Sequence, residues 1–210
     1  MSTVTVTDPA TAAANGPLAI TTAPEPRRPR VLLVGAAFGA AGSALLVLSM
    51  LAAYLQLRGD RIGNGVTALP DGIVLPLTPG NMGLATLAMS LISMAWVVHS
   101  LRHDDRKHAY LALGLTILLG VAFINSTAYL YQQLAMPLTA SGTSGLLYAV
   151  TGAHLVMVAV GLVFTAVMGF HALGGQLTGR DAEGMSAAAL YWYVTVAVYA
   201  AVWYGVYITK

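Results

Sequence analysis

The feature that most constrains this chain is a set of five apolar runs containing no Asp, Glu, Lys or Arg: residues 31–57, 81–101, 109–134, 145–171 and 186–208. Each passes the length of about 20 residues that an α-helix needs to cross a hydrocarbon core. Lipid offers no hydrogen bonds, so the backbone of such a run must pair with itself, and the helix is the form that does so within one segment. Composition agrees: 57% of the 210 residues are hydrophobic and 9% are charged, whereas a soluble domain carries roughly a quarter charged residues. The expected fold is an all-α integral membrane protein, one bundle of five transmembrane helices, with no length left over for a soluble catalytic domain.

The segments between the runs set the expected organisation. Residues 1–26 are rich in Thr, Ala and Pro, with Asp8 and Glu25 as their charges and no helical or strand period. Residues 1–30 are therefore expected to form a disordered tail, and residues 31–210 the membrane domain. Arg27, Arg28 and Arg30 stand before the first run, a pattern shared with signal peptides and twin-arginine signals. The run is too long for a cleaved signal and no small-residue cleavage site follows, so a permanent first helix is expected. With the tail inside, Arg27, Arg28, Arg30, Arg102, Arg106, Lys107 and Arg180 are cytoplasmic and Arg58, Arg61 and Lys210 are outside. The excess of basic residues on one side predicts a cytoplasmic amino terminus and an external carboxy terminus. The formal charge of +2 and pI near 9.0 thus reflect orientation, and nucleic acid is not an expected partner. The absence of cysteine excludes disulfides, thiolate nucleophiles and Cys-ligated metals. Residues 59–80 carry turn chemistry and are expected to lie across the outer face as a loop.

Within the runs, small and polar residues carry the information. Gly35, Gly39 and Ser43 recur every four residues, and Gly145, Ala149, Ala153, Gly161, Thr165 and Gly169 follow one four-residue ridge broken only by Met157. Both stripes are expected to face other helices, because close approach of small residues drives helix association in lipid. Trp203, Tyr204 and Tyr207 read as outer-interface anchors. His154 lies about ten residues into the fourth run and reads as a packing histidine, its neutral ring bonding a partner helix or a lipid headgroup. His99 and His171 end the second and fourth runs on the same side. They read as interfacial histidines, with axial haem ligation as the sharper alternative. Asn125, Ser126 and Thr127 form a polar step suited to interhelical bonds, or to lining a path for a neutral solute. The loop from Arg102 to His108 mixes both signs and reads as a solvated turn. No Gly-rich phosphate loop, nucleophile elbow or His-Glu zinc motif occurs, which points away from catalysis by this chain alone.

Two segments carry a family likeness. Thr151-Gly152-Ala153-His154 followed by Gly161 resembles a Thr-Gly-x-His element, and Ala187 to Trp192 resembles a Glu-Ala-Ala-x-x-Tyr-Trp-His segment. Ala52-Ala53-Tyr54, Leu57-Arg58, Asn81 and Leu101-Arg102 fall where the same family has similar residues. From about Val31 onward the chain resembles subunit III of the haem–copper cytochrome c oxidases, in a short five-helix form. It departs at ionisable positions: Ser43 and Leu130 stand where glutamates are expected, Met157 where a second histidine is expected, and Ser186, Tyr193 and Thr195 where Glu, His and Asp are expected. The resemblance implies an accessory, non-catalytic role in a bacterial plasma membrane. Haem and copper would sit in partner subunits, with oxidase subunit I, other respiratory subunits and membrane lipids as partners and a phospholipid as a bound molecule. It also implies that His154, Thr151, Gly152, Tyr191, Trp192 and Arg102 contact lipid or a subunit. The missing carboxylates argue for structural support and lipid holding over proton uptake, in a divergent paralogue serving an alternative oxidase or a nitric-oxide-reductase-associated complex. The residues by themselves leave two other readings open: a bis-histidine haem electron carrier using His99 and His171, and a neutral-solute transporter.

Overall fold

The computed structural model describes residues 30–67, 69, 75–134, 136–137, 140–174 and 183–209. Five helices follow in order: α1 (Val31–Gly63), α2 (Leu77–Arg102), α3 (Arg106–Leu134), α4 (Gly142–Leu173) and α5 (Glu183–Trp203), the last continued by a π-helical turn over Tyr204–Ile208. All five are long and apolar enough to cross a membrane, and the chain is a multi-pass membrane protein. The tail at residues 1–29, Arg180 and Lys210 lie outside the described residues.

The ends differ from expectation for local reasons. α1 winds on to Gly63 and α2 already begins at Leu77, so residues 59–63 and 77–80 of the expected outer loop are helical. Pro79 is no obstacle, because in a first turn its missing N–H has no intrahelical partner to lose. The α2–α3 turn passes through Asp104, whose φ of 55° is a left-handed value that Asp tolerates better than most residues. α4 starts at a capping box in which the Ser141 side chain accepts from the Ser144 N–H and the Ser144 side chain accepts from the Ser141 N–H.

α5 is the hub of the bundle. It packs against α1, α2 and α4; α2 pairs with α3, α3 touches α4, and α4 touches α1. Most of the spanning part of α5 is buried (61%), against 11% for α1, so α1 is the peripheral helix. Two apolar clusters result. One joins Leu87, Met94 and Val97 of α2 with Phe123 of α3 and Trp192 and Val196 of α5. The other joins Ala40, Val47, Leu51 and Tyr54 of α1 with Val150 and Met157 of α4 and Val198 and Val202 of α5.

Glycine decides how closely these helices approach. A Cβ at Gly161 of α4 would lie 3.0 Å from Trp192 Cε3, and one at Gly120 of α3 would lie 2.9 Å from Trp192 Cη2. The indole thus fills a slot between two bare backbones. At Gly169 a Cβ would meet Leu113 Cδ2 at 2.5 Å, so the lower half of the α4 stripe packs on neighbours as expected. The α1 stripe does so only at Ser43, which is half-buried and reaches Tyr191 of α5: Gly35 and Gly39 are exposed and have nothing within 4 Å of a built Cβ. The buried line of α1 runs instead through Ala40, Ala44, Val47, Leu51, Tyr54 and Arg58.

Candidate functional site

The polar residues singled out in the sequence converge on the faces where α4 and α5 meet their neighbours. His154 is 1% exposed and its Nε2 lies 3.0 Å from the Thr195 carbonyl oxygen of α5. A carbonyl only accepts, so Nε2 carries the proton and donates, which leaves Nδ1 as an acceptor. The ring meets Phe123 edge-on at 5.7 Å between centroids and lies 5.1 Å from Tyr199. Tyr199 in turn donates its hydroxyl to the Gly80 carbonyl at 3.2 Å, in the first turn of α2. One turn before His154, the Tyr131 hydroxyl of α3 donates to Thr151 Oγ1 at 2.7 Å, and Thr151 donates to the Leu147 carbonyl at 2.8 Å. Gly152 touches little: a Cβ there would find only Tyr131 Oη, at 3.9 Å.

The second motif behaves alike. Trp192 is fully buried and its Nε1 donates to Ser90 Oγ of α2 at 2.9 Å, while Ser90 donates to the Leu87 carbonyl at 2.6 Å. The Tyr191 hydroxyl lies 3.4 Å from Ser43 Oγ of α1, itself donating to the Gly39 carbonyl at 2.8 Å. Ser93 and Thr116 share a 2.7 Å bond between α2 and α3. At the far end of α5, buried Arg58 donates from Nη1 to the Gly205 carbonyl at 3.4 Å and to Thr209 Oγ1 at 3.3 Å. It thereby sets a cation against the carbonyl end of that helix. At the opposite end Glu183 Oε1 accepts from the Leu33 N–H at 3.2 Å, placing an acid at the amino end of α1.

Other candidates separate. Asn125 is exposed, whereas Ser126 and Thr127 line a small cleft with Pro79, Leu130, Thr151, His154, Tyr199 and Tyr207. His99 and His171 are both exposed, near the ends of α2 and α4. The His99 ring lies against His103 instead, at 4.3 Å between centroids, so a haem clasped between His99 and His171 has no geometric support. Arg102 is exposed at the end of α2. Among the described residues no group of three or more His, Asp or Glu side chains is placed to hold a metal ion. In the loop, His108 Nδ1 and Asp105 Oδ2 are 2.6 Å apart, and this bond holds the exposed Asp105 carboxyl below the usual carboxylate range. Of the positions where the family's ionisable residues are missing, Leu130 (5% exposed) and Thr195 (0%) at expected carboxylates and Met157 (3%) at the expected second histidine are packed, while Ser43 and Ser186 are half-buried.

Sequence reasoning did not single out Ser90, Tyr131, Arg58 or Glu183 as partners. Only Glu183 carries a local signal, as an acid in a first turn; the others are legible only through residues far away in sequence.

With this geometry in hand, the match to known proteins is specific. Residues 41–210 match the family described as cytochrome c oxidase subunit III. The chain belongs to that family. The bovine (Bos taurus) cytochrome c oxidase subunit 3 is 31% identical over 140 residues, which cover 66% of this chain and 54% of the bovine protein. Its carp (Cyprinus carpio) counterpart is 30% identical over 159 residues, 76% of this chain and 59% of the carp protein. The chain thus spans little more than half the length of the curated relatives it matches. Within the subunit III family frame, the matched region contains α2 to α5 whole and α1 from Ala41 onward.

Proposed function

We propose that this chain is a non-catalytic, subunit III-like component of a haem–copper oxidase complex, bracing the catalytic subunit and holding lipid in a bacterial plasma membrane. The observation that carries this reading is the use of the family-motif side chains. His154, Thr151, Tyr191 and Trp192 each bond a neighbouring helix or pack in the core, which is what a scaffold requires. Haem and copper belong to partner subunits in this reading, and electron transfer takes place there. The proton-uptake support implied by the family is weakened by Ser43, Leu130 and Thr195 at carboxylate positions, since a carboxylate at buried Leu130 or Thr195 would need a partner to be tolerated. The contacts proposed for Arg102 and the α1 stripe are with subunit I or lipid, consistent with their exposure.

Affinity purification of the tagged chain from native membranes in mild detergent tests the assignment. A haem–copper catalytic subunit, recognised by its haem spectrum and mass, is expected to co-purify; its repeated absence would overturn the reading. The amino terminus is proposed to be cytoplasmic. The natural lack of cysteine makes the test simple: a single cysteine at Asp104 should be labelled by an impermeant maleimide only from the cytoplasmic face.

A further inference from the structure

The cleft beside His154 is lined by more hydrogen-bonding atoms than the protein itself pairs. His154 Nδ1 is an acceptor by the tautomer argument above, and among the described residues the ring hydrogen-bonds through Nε2 alone. Ser126 and Tyr207 also line the cleft, and neither hydroxyl has a partner among the described residues. Thr127 Oγ1 donates to the Phe123 carbonyl at 3.0 Å and keeps its acceptor lone pairs. None of these atoms is sealed away: Thr165 Oγ1 is the fully enclosed, unpaired side-chain polar atom among the described residues. His154, Ser126 and Tyr207 line this one cleft together, so their side chains surround a single space. Around them the walls are apolar or aromatic, with Phe123, Leu130, Pro79 and Val202.

We propose that this cleft is a hydration site within the spanning bundle, holding one or two ordered waters. One of them donates to His154 Nδ1 and bonds the lining hydroxyls of α3 and α5. Two observations select water over a larger ligand. The space available is about 20 Å³, which fits a water or two and is far below a sugar or a lipid headgroup. The lining also offers both kinds of partner, an acceptor on His154 and donor-acceptor hydroxyls on Ser126, Thr127 and Tyr207, and water is the smallest molecule that serves both. A dry cleft would leave a buried imidazole acceptor and two hydroxyls unsatisfied in lipid, where nothing else can bond them. The inference does not depend on which complex the chain serves.

Water-edited solid-state NMR on the full chain, ¹⁵N-labelled at histidine and reconstituted in lipid with deuterated acyl chains and protonated headgroups, tests it. His154 is identified by the signal that His154→Gln removes. Magnetisation is expected to pass from mobile water to the His154 ring about as fast as to exposed His99 and His103, despite its 1% exposure. In Ser126→Val, which removes a hydroxyl and fills the space, that transfer should fall by more than half while His99 and His103 are unchanged. No transfer in the native chain, or transfer that Ser126→Val leaves intact, overturns the proposal. So does contact of the ring with protonated lipid headgroups in place of water. Should Ser126→Val fail to fold, a high-resolution structure of the native chain decides: density within hydrogen-bonding distance of Nδ1 is expected, and an empty cleft refutes the site.

Discussion

Trp192 is held at three points, and this makes its slot the sharpest place to test the packing. Its Nε1 is tied to Ser90 Oγ at 2.9 Å, Gly161 lies against Cε3 and Cζ3, and Gly120 lies against Cη2. In Gly161→Ala the new Cβ would sit 3.0 Å from Cε3, 3.3 Å from Cζ3 and 3.4 Å from Tyr191 Cδ1. The indole cannot retreat freely, because a shift away from α4 strains its bond to α2 or presses on α3. Overpacking of this kind costs about 1–3 kcal/mol, while alanine gains roughly 0.8–1 kcal/mol of helix propensity over glycine. The single variant should therefore be less stable by about 0–2 kcal/mol. Trp192→Phe removes the outer ring that meets the methyl, so Gly161→Ala made in that background should be neutral or stabilising by up to about 1 kcal/mol. The propensity gain is common to both backgrounds and cancels in a double-mutant cycle, which isolates a coupling of about 1–3 kcal/mol. Denaturing-detergent titration followed by circular dichroism measures all four proteins without relying on the fluorescence of Trp96 and Trp203. Equal effects of Gly161→Ala in both backgrounds, within about 0.5 kcal/mol, would refute the slot.

Three further outcomes follow from the same contacts. Ser90→Ala strands the buried Trp192 N–H and should lower stability by about 0.5–2 kcal/mol in the same titration; an unchanged midpoint would mean the bond contributes nothing. Arg58→Gln removes the cation from the carbonyl end of α5 at a cost of about 1 kcal/mol, and hydrogen exchange at Val206 to Thr209 should quicken; unchanged exchange there would dismiss the capping role. The lowered pKa of Asp105 comes first from its bond to His108, so its carboxylate form is favoured in the folded loop. That contribution is present above the ordinary value of 3.8 and is lost as pH falls through the lower folded value. A ¹³C-carboxyl titration should find Asp105 ionising below the ordinary carboxyl value, and His108→Ala should raise its midpoint.

The Asp105–His108 pair sits in an exposed turn, outside the spanning segments, and local spacing suffices to form it. The buried contacts differ in kind. Each joins residues on separate helices, as His154 joins Thr195 and Trp192 joins Ser90, so no window along the chain reveals it. The α1 stripe illustrates the same limit: spacing identified small residues correctly, yet the helix turns a neighbouring line inward.

What the sequence determined by itself is the number of spans, their approximate extent and the residues worth watching, because an uncharged run of bilayer length has one way to satisfy its backbone in lipid. Tertiary structure alone decided that α5 is the hub, that α1 is peripheral, and that Gly120 and Gly161 share one indole. The physical reason is that these helices are apolar on every side, so hydrophobicity cannot choose their inward faces. Close contact and a few hydrogen bonds between distant residues make that choice.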